Sequence, residues 1–284
     1  MSTGQSVRRA LWSASFYAAT VSRVLPRAGL QTRHRMRPRD ERTVFVVGSP
    51  RSGTSFMARS IGSLPGFVDL GEVTPLKAAI PELATAPDGE AGHGVRRRLE
   101  RVRTFALVSG LRSVEQTPEL AFVLPATMRA YPQGLAVHMI RDGRDVVSSL
   151  LERGWLRQDH GGRDDAKQPY GAYARFWVEP ELAQTFETVS DARRAAWAWR
   201  RYVEAVRKQT ERVVEVRYEQ LVTDSKAVAE DLAGRLDVPP EPLVEALASA
   251  HSDSVGRYHA ELTAEELADV EAEAGGLLDE LGYV

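Results

Sequence analysis

From residue 43 onward, short apolar runs alternate with longer segments in which apolar residues recur every three or four positions. The run TVFVVGS (43–49) is rich in β-branched residues and bounded by Gly and Pro, which predicts a buried strand. LAVHMI (135–140) and RVVEVRY (212–218) predict two more. Helical spacing predicts a helix over FMARSIGSL, ended by Pro65-Gly66, and further helices over 73–84, 92–110 and 142–154, with Gly154 as stop signal. The pattern continues with helices over 191–209, 224–236, 240–250 and 263–281. Residues 156–180, rich in Gly, Asp, Pro and Gln, read as a long loop of the kind that often carries binding function. Strands alternating with helices argue for an α/β fold, a mostly parallel β-sheet flanked by helices on both faces. In such sheets ligands bind at the carboxyl ends of the strands.

Composition narrows the class. The chain of 284 residues is 43% hydrophobic and 27% charged, a globular balance with enough apolar material for a sizeable core. A net charge of −2 excludes a protein built to coat nucleic acid. The absence of cysteine excludes disulfides and cysteine-based metal or nucleophile sites, and fits a cytoplasmic setting. No apolar run approaches the roughly 20 residues that span a bilayer. Arg8 and Arg9 precede LWSASFYAATV, whose core is diluted by Ser, Tyr and Thr, so no signal peptide is read. Residues 1–42 form a basic arm with nine arginines against Asp40 and Glu41, ahead of a domain at 43–284. Leu11, Trp12, Ser15, Phe16, Ala19 and Val24 share one helical face, suited to a membrane surface, to the chain's own domain, or to a second subunit in a homodimer. Residues 31–42 read as a mobile connector.

The two most polar strand-to-helix junctions carry the candidate chemistry. At the first, Gly48-Ser-Pro-Arg-Ser-Gly-Thr-Ser55 joins a strand to a helix, where backbone amides and the helix N-terminus face an anion. It is not a Walker loop, because Thr54 stands where that loop has its lysine. Arg51 places a cation inside the loop instead, and Ser52, Thr54 and Ser55 add hydroxyls. At the second junction, Arg141 ends a strand and Ser149 lies about two helical turns further on. A guanidinium fork matches phosphate oxygens. Arg144 and Asp145 are expected to form a local ion pair. No clustered His/Asp/Glu pattern calls for a metal.

Gly48–Ser55 resembles the 5′-phosphosulfate loop of sulfotransferases that use 3′-phosphoadenosine 5′-phosphosulfate (PAPS), especially bacterial and tyrosylprotein types with PRSGT. LAVHMIRDGRDVVSSLLERGW resembles the 3′-phosphate motif of that family, and Val216-Arg-Tyr-Glu-Gln-Leu221 its YExL segment. The resemblance implies a P-loop-like core and transfer of a sulfo group from PAPS to a hydroxyl, giving PAP (3′,5′-ADP) and a sulfate ester without a metal. It implies that Arg51, Ser52, Gly53, Thr54 and Ser55 hold the 5′-phosphate, with Arg51 steadying the bridging oxygen. It implies that Arg141 and Ser149 hold the 3′-phosphate and that Tyr218 lies near the adenine.

Gly71-Glu72 is similar to the segment that supplies a catalytic glutamate in several branches, which makes Glu72 the leading base. His138 is a rival by residue type, but its place inside a buried strand favours a satisfied core histidine, and His160 in the long loop is a weaker rival. Ser113-Val-Glu-Gln-Thr-Pro118 is similar to an EKTP-like segment, but Gln116 stands where lysine is usual. The resemblance then requires compensation by Arg51 or an arginine from 96–112, or slow transfer. The acceptor, a small molecule, glycan or lipid-linked hydroxyl, is expected between Glu72 and the 156–180 loop. Tyr170, Tyr173, Phe176, Trp177 and Trp199 offer aromatic walls there, with Trp197 and Trp199 equally suited to the core. The alternatives are a PAP- or PAPS-binding protein with little turnover, and a P-loop kinase.

Overall fold

The computed structural model describes residues 3–29, 40–157, 176–209 and 211–283. Its sheet is wholly parallel. Strands β1 (Val44–Gly48), β2 (Phe67–Gly71), β3 (Arg112–Glu115), β4 (Leu135–Ile140) and β5 (Val213–Arg217) lie in the order β2-β3-β1-β4-β5. β1, β4 and β5 fall where the apolar runs predict them. β2 and β3 do not announce themselves in sequence, because they are short and β3 opens on a charge. That charge is buried: the Arg112 guanidinium lies 4.8 Å over the Phe67 ring, and its Nε donates to the Arg42 carbonyl at 3.1 Å.

Alternation along the strands feeds two cores. Phe45 and Val47 point into one with Val68, Leu70, Ala136 and Ile140. Val44 and Val46 point into the other with Val114, Val137 and Met139. A sheet apolar on both faces needs helices on both, and it has them.

The chain opens with α1 (Thr3–Gly29), which packs against β2. Tyr17, Val24 and Ala28 of this helix join the main core, whereas Ser15 and Ala19 of the expected face are exposed and Phe16 is half-buried, so the buried side is rotated from the one that the spacing suggests. The side chains of Leu11 and Trp12, and the connector over 30–39, lie outside what is described. No described helix is long and apolar enough to cross a membrane.

After β1 comes α2 (Thr54–Gly62). The single helix expected over 73–84 is two, α3 (Thr74–Lys77) and α4 (Ile80–Ala84). Each has a proline in its first turn, where a missing N–H costs nothing, and Pro81 thereby begins a new helix instead of continuing the old one. α5 (Asp88–Phe105) begins and ends earlier than its pattern suggests; Leu107 and Gly110, both at positive φ, turn the chain towards β3. A 3-10 turn at Pro118–Val123 and α6 (Leu124–Ala130) lead to β4.

α7 (Gly143–Glu152) starts on Asp142, whose side chain accepts from the Arg144 amide. α8 (Ala183–Thr188) and α9 (Asp191–Arg207) precede β5. Then follow α10 (Tyr218–Thr223), α11 (Ser225–Leu236), α12 (Glu241–Leu247), α13 (Tyr258–Glu261) and α14 (Ala264–Glu280). β1 and β4 are neighbours paired from Val44–Leu135 to Gly48–Met139. Their two carboxyl-end junctions therefore stand side by side, which is what brings residues 51 and 141 together across the chain.

Candidate active site

The loop from β1 to α2 is shaped by three positive-φ residues, Gly48 (142°), Arg51 (74°) and Gly53 (88°). A Cβ on Gly48 would sit 2.4 Å from the Met139 carbonyl oxygen, and one on Gly53 would sit 2.9 Å from the Tyr218 ring. Glycine is required at both for space as well as conformation. Arg51 has no such freedom, and a non-glycine residue held at φ 74° is strained. Its neighbours hold it there. Its Nε donates to Ser149 Oγ at 2.9 Å, and its carbonyl accepts from Arg141 Nη1 at 3.1 Å. α2 begins on Gly53 with no side-chain cap, so its N-terminal amides are presented to the loop.

Beside this loop lies a cavity of about 350 Å³. Arg51, Arg59, Arg141 and Arg257 contribute four guanidinium groups to its lining, and none of the described lining residues is a carboxylate. Gly53, Thr54, Ser55, Ser149 and Tyr218 also line it. Arg141 lies with its guanidinium 4.9 Å over the Tyr218 ring and donates to the Ser254 carbonyl. Tyr218 donates its hydroxyl to the His251 carbonyl at 3.0 Å. Of the loop residues read as phosphate contacts, Ser52 alone is not in the lining; its amide is bonded to the Ser49 carbonyl at 3.2 Å.

A second cavity, about 70 Å³, opens on the opposite side of Arg51, Thr54 and Ser55. Glu72, at the end of β2, and Gln116, at the end of β3, are both in its walls. Gln116 braces the loop: its Nε2 donates to Thr54 Oγ1 and its Oε1 accepts from Ser55 Oγ, each at 3.2 Å. The remaining walls include Lys77, Glu119 and Trp155. Lys77 Nζ stands 2.8 Å from Glu72 Oε2 and 3.3 Å from Glu119 Oε1. The side chain of Glu72 is 38% exposed, that of Lys77 13%, and that of Glu119 not at all. Burial pushes the Glu119 carboxyl up to about 7, against the pull of Lys77, and Glu72 adds to the rise. Glu115, also fully buried, is pushed up to about 8 by burial, with Glu72 and Glu119 adding to it.

The segment that carries Glu72 is fixed by the N-terminal helix. Arg23 donates to the carbonyls of Leu70, at 3.0 Å, and Glu72, while Arg27 pairs with the Asp69 carboxylate at 2.7 Å.

Several expectations change. Arg144 does not pair with Asp145 but with Asp142, at 2.7 Å. Asp145 is turned inward, where it accepts from the amides of Gly256, at 2.8 Å, and Tyr258, at 3.1 Å, and so secures the turn that brings Ser254 and Arg257 to the larger cavity. His138 is a core histidine: it is wholly buried on β4, its Nδ1 is 3.3 Å from Glu215 Oε1, and burial depresses its pKa. Trp199 is core as well, donating Nε1 to the Arg141 carbonyl at 3.1 Å. Phe176 and Trp177 are buried against Trp155 and Phe122. No arginine from 96–112 lines the smaller cavity. His160, Tyr170 and Tyr173 lie outside the described residues.

Sequence reasoning missed Arg59, His251, Ser254 and Arg257 around the larger cavity, and Lys77, Glu119 and Trp155 around the smaller one. Only Lys77 carried a signal, as one of four lysines in a chain whose other basic residues are arginine.

A parallel α/β sheet with a glycine-containing loop joining its central strand to a helix is the arrangement in which ligands bind at the carboxyl ends of strands. The family model described as "Sulfotransferase family" matches residues 103–242. A curated "Putative protein-tyrosine sulfotransferase" of Caenorhabditis briggsae is 28% identical over 123 residues, 40% of this chain and 44% of that protein, so the likeness spans less than half of the relative. Among solved structures, the sulfotransferase STF1 of Mycobacterium tuberculosis H37Rv aligns with a TM-score of 0.50 at 16% identity, over 83% of this chain and 76% of that one. STF9 of Mycobacterium avium aligns with a TM-score of 0.50 at 13% identity, over 84% and 76%. Together the matches support a likeness to the sulfotransferase family over residues 103–242, and the chain spans less than half the length of the curated relative that it matches.

Proposed function

We propose that the chain transfers a sulfo group from PAPS to a hydroxyl of an acceptor. The observation that carries this reading is the sharing of Arg51, Thr54 and Ser55 by both cavities. The larger one has the volume and the four guanidinium groups to suit a nucleotide bearing two phosphate positions. The smaller one has room for a sulfo-sized group beside a carboxylate.

PAPS supplies an activated sulfo group on a phosphate leaving group. The chain's residues then have separate tasks. Gly53 lets the loop approach the 5′-phosphate, with the amides at the start of α2 as donors and Ser52 shaping the turn from behind. Arg51, bonded to Ser149, carries charge to the edge where the two cavities meet. Arg141, stacked on Tyr218, serves the 3′-phosphate, and Tyr218 walls the adenine side. Glu72 accepts the proton of the acceptor hydroxyl as the new bond forms. Gln116 holds Thr54 and Ser55 in register. Charge on the peripheral oxygens is met by these fixed donors, so positioning and electrostatics carry the reaction.

The acceptor is read as a small-molecule, glycan or lipid-linked hydroxyl, and the name of the relative adds a tyrosine phenol to the classes to be tried. Calorimetric titration with PAP and with ATP–Mg tests the donor. Tight PAP binding is expected, and binding of ATP–Mg without PAP would reject the reading in favour of a kinase. Mass spectrometry of a phenol, glycan and tyrosine-peptide panel incubated with PAPS tests transfer. PAP binding with no sulfated product across that panel would favour a binding protein.

A further inference from the structure

The smaller cavity raises a question of charge. At position 116 the loop after β3 offers a neutral amide, and that amide is occupied in bracing Thr54 and Ser55. Across the cavity, the last residue of α3 sends in an ammonium. Lys77 and Arg51 are the two cations among the described lining residues, against the carboxylates of Glu72 and Glu119. Lys77 is fixed from two sides, by Glu72 at 2.8 Å and by the wholly buried Glu119 at 3.3 Å.

We propose that Lys77 is the cation that meets the transferring sulfo group, supplying from α3 the positive charge that Gln116 does not supply from β3. This rests on the reading of the site as a PAPS-dependent one. The step balances without any further reactant. The acceptor O–H proton passes to Glu72, the acceptor oxygen forms the new O–S bond, and the S–O bond to the bridging oxygen breaks with its electron pair left on the phosphate of PAP. Lys77 neither gains nor loses a proton.

Its ion pairs explain the timing. With Glu72 ionised, the ammonium is only partly balanced and already makes one charge-assisted contact with the sulfo group of bound PAPS, a contact that PAP cannot make. When Glu72 takes the acceptor proton, that balance is removed, and the charge of Lys77 acts on the sulfo oxygens while they gain electron density. Glu119 remains behind as the buried anchor. Burial raises the pKa of its carboxyl, so it opposes the charge of Lys77 less than an exposed carboxylate would. An ammonium on a flexible stem suits such a role better than a rigid guanidinium fork.

The test compares PAPS with PAP, which differ by the sulfo group alone, by isothermal titration calorimetry on the full chain. Lys77→Met is expected to leave PAP affinity within about twofold and to weaken PAPS by roughly 10- to 100-fold, the loss of one charge-assisted contact. Adding Gln116→Lys to Lys77→Met is expected to recover most of the PAPS affinity. Lys77→Met strips a partner from two carboxylates, so the pair Lys77→Met/Glu119→Gln is measured alongside, with thermal melting as the check on folding. Equal losses for PAP and PAPS in a folded variant, or PAPS affinity indifferent to Lys77, would overturn the assignment and leave the donor reading standing. Failure of the wild-type chain to bind PAP would overturn both.

Discussion

The two cavities that share the Arg51 loop are opposites in charge and construction. Among the described residues the larger is lined by four guanidinium groups and no carboxylate, and several of its residues come from two adjacent strand-to-helix junctions. The smaller holds Glu72 and Glu119 against Lys77 and Arg51, drawn from the end of β2, the 3-10 turn after β3, α3 and the loop after β1. The first is suited to holding a stable anion, which fixed cations and helix amides do well. The second is suited to a changing charge, with a half-exposed carboxylate backed by a buried pair. On the proposed reading binding and chemistry are divided by a single strained loop, and variants on either side of it should separate them.

The largest effect is expected on the chemical side. Glu72→Gln should lower the rate of sulfo transfer by roughly 10²- to 10⁴-fold, the usual range for a general base, while PAP affinity by calorimetry stays nearly unchanged. Full activity in single-turnover assays with labelled PAPS would remove Glu72 as base.

The buried acid behind the same cavity should act on stability. Glu115 has its folded-state pKa raised from 4.5 to about 8. The folded chain therefore holds a proton that the unfolded chain releases, and stability contributed by the protonated acid is present below about 4.5 and lost as pH rises towards 8. Glu115→Gln should flatten this fall, by up to a few kcal/mol at about pH 8. Denaturant melts from pH 5 to 8 with the same slope in both proteins would show that the acid does not titrate as described.

On the binding side, Arg141→Ala should weaken PAP by about 1.5–3 kcal/mol, the value of a charge-assisted bond, because it also frees the Arg51 and Ser254 carbonyls that it holds. Unchanged PAP affinity would separate Arg141 from the donor. The smallest effect is expected at the arm. Arg23→Ala removes two bonds to the carbonyls of Leu70 and Glu72 from an exposed side chain, and should cost about 1 kcal/mol of stability with a modest fall in turnover and none in PAP affinity. A loss in PAP binding instead would show that the arm acts on both cavities.

The legibility of the two cavities also differs. The larger is written in contiguous phrases: the glycines and Arg51 of residues 48–55, Arg141 and Ser149 two turns apart, and Tyr218 after the last strand. Local geometry makes such phrases informative, since a strand, a tight turn and a helix N-terminus follow one another along the chain. What escaped is the far wall. Ser254 and Arg257 reach the cavity through a turn secured by Asp145, more than a hundred residues away in sequence. Beyond the shared loop, the smaller cavity was legible only at Glu72 and Gln116. β2 and β3, which carry those two residues, were themselves hidden by brevity and by the buried Arg112, so the distance between Glu72 and Lys77 had no frame in which to be read. Position alone separated the tryptophans: Trp199 is sealed under Arg141, while Trp155 walls the smaller cavity.

The sequence by itself determined the parallel α/β architecture, the place of the glycine-containing loop after β1 and many of the residues lining the larger cavity. These follow from period-two and period-3.6 patterning and from glycine, which act over a few residues. The tertiary structure alone decided the strand order that sets Arg51 beside Arg141, the inward turn of Asp145, the burial that makes Glu119 and Glu115 reluctant to ionise, and the meeting of Lys77 with Glu72. Those depend on desolvation and on charges brought within about 3 Å from separate elements, and neither quantity exists until the chain has packed.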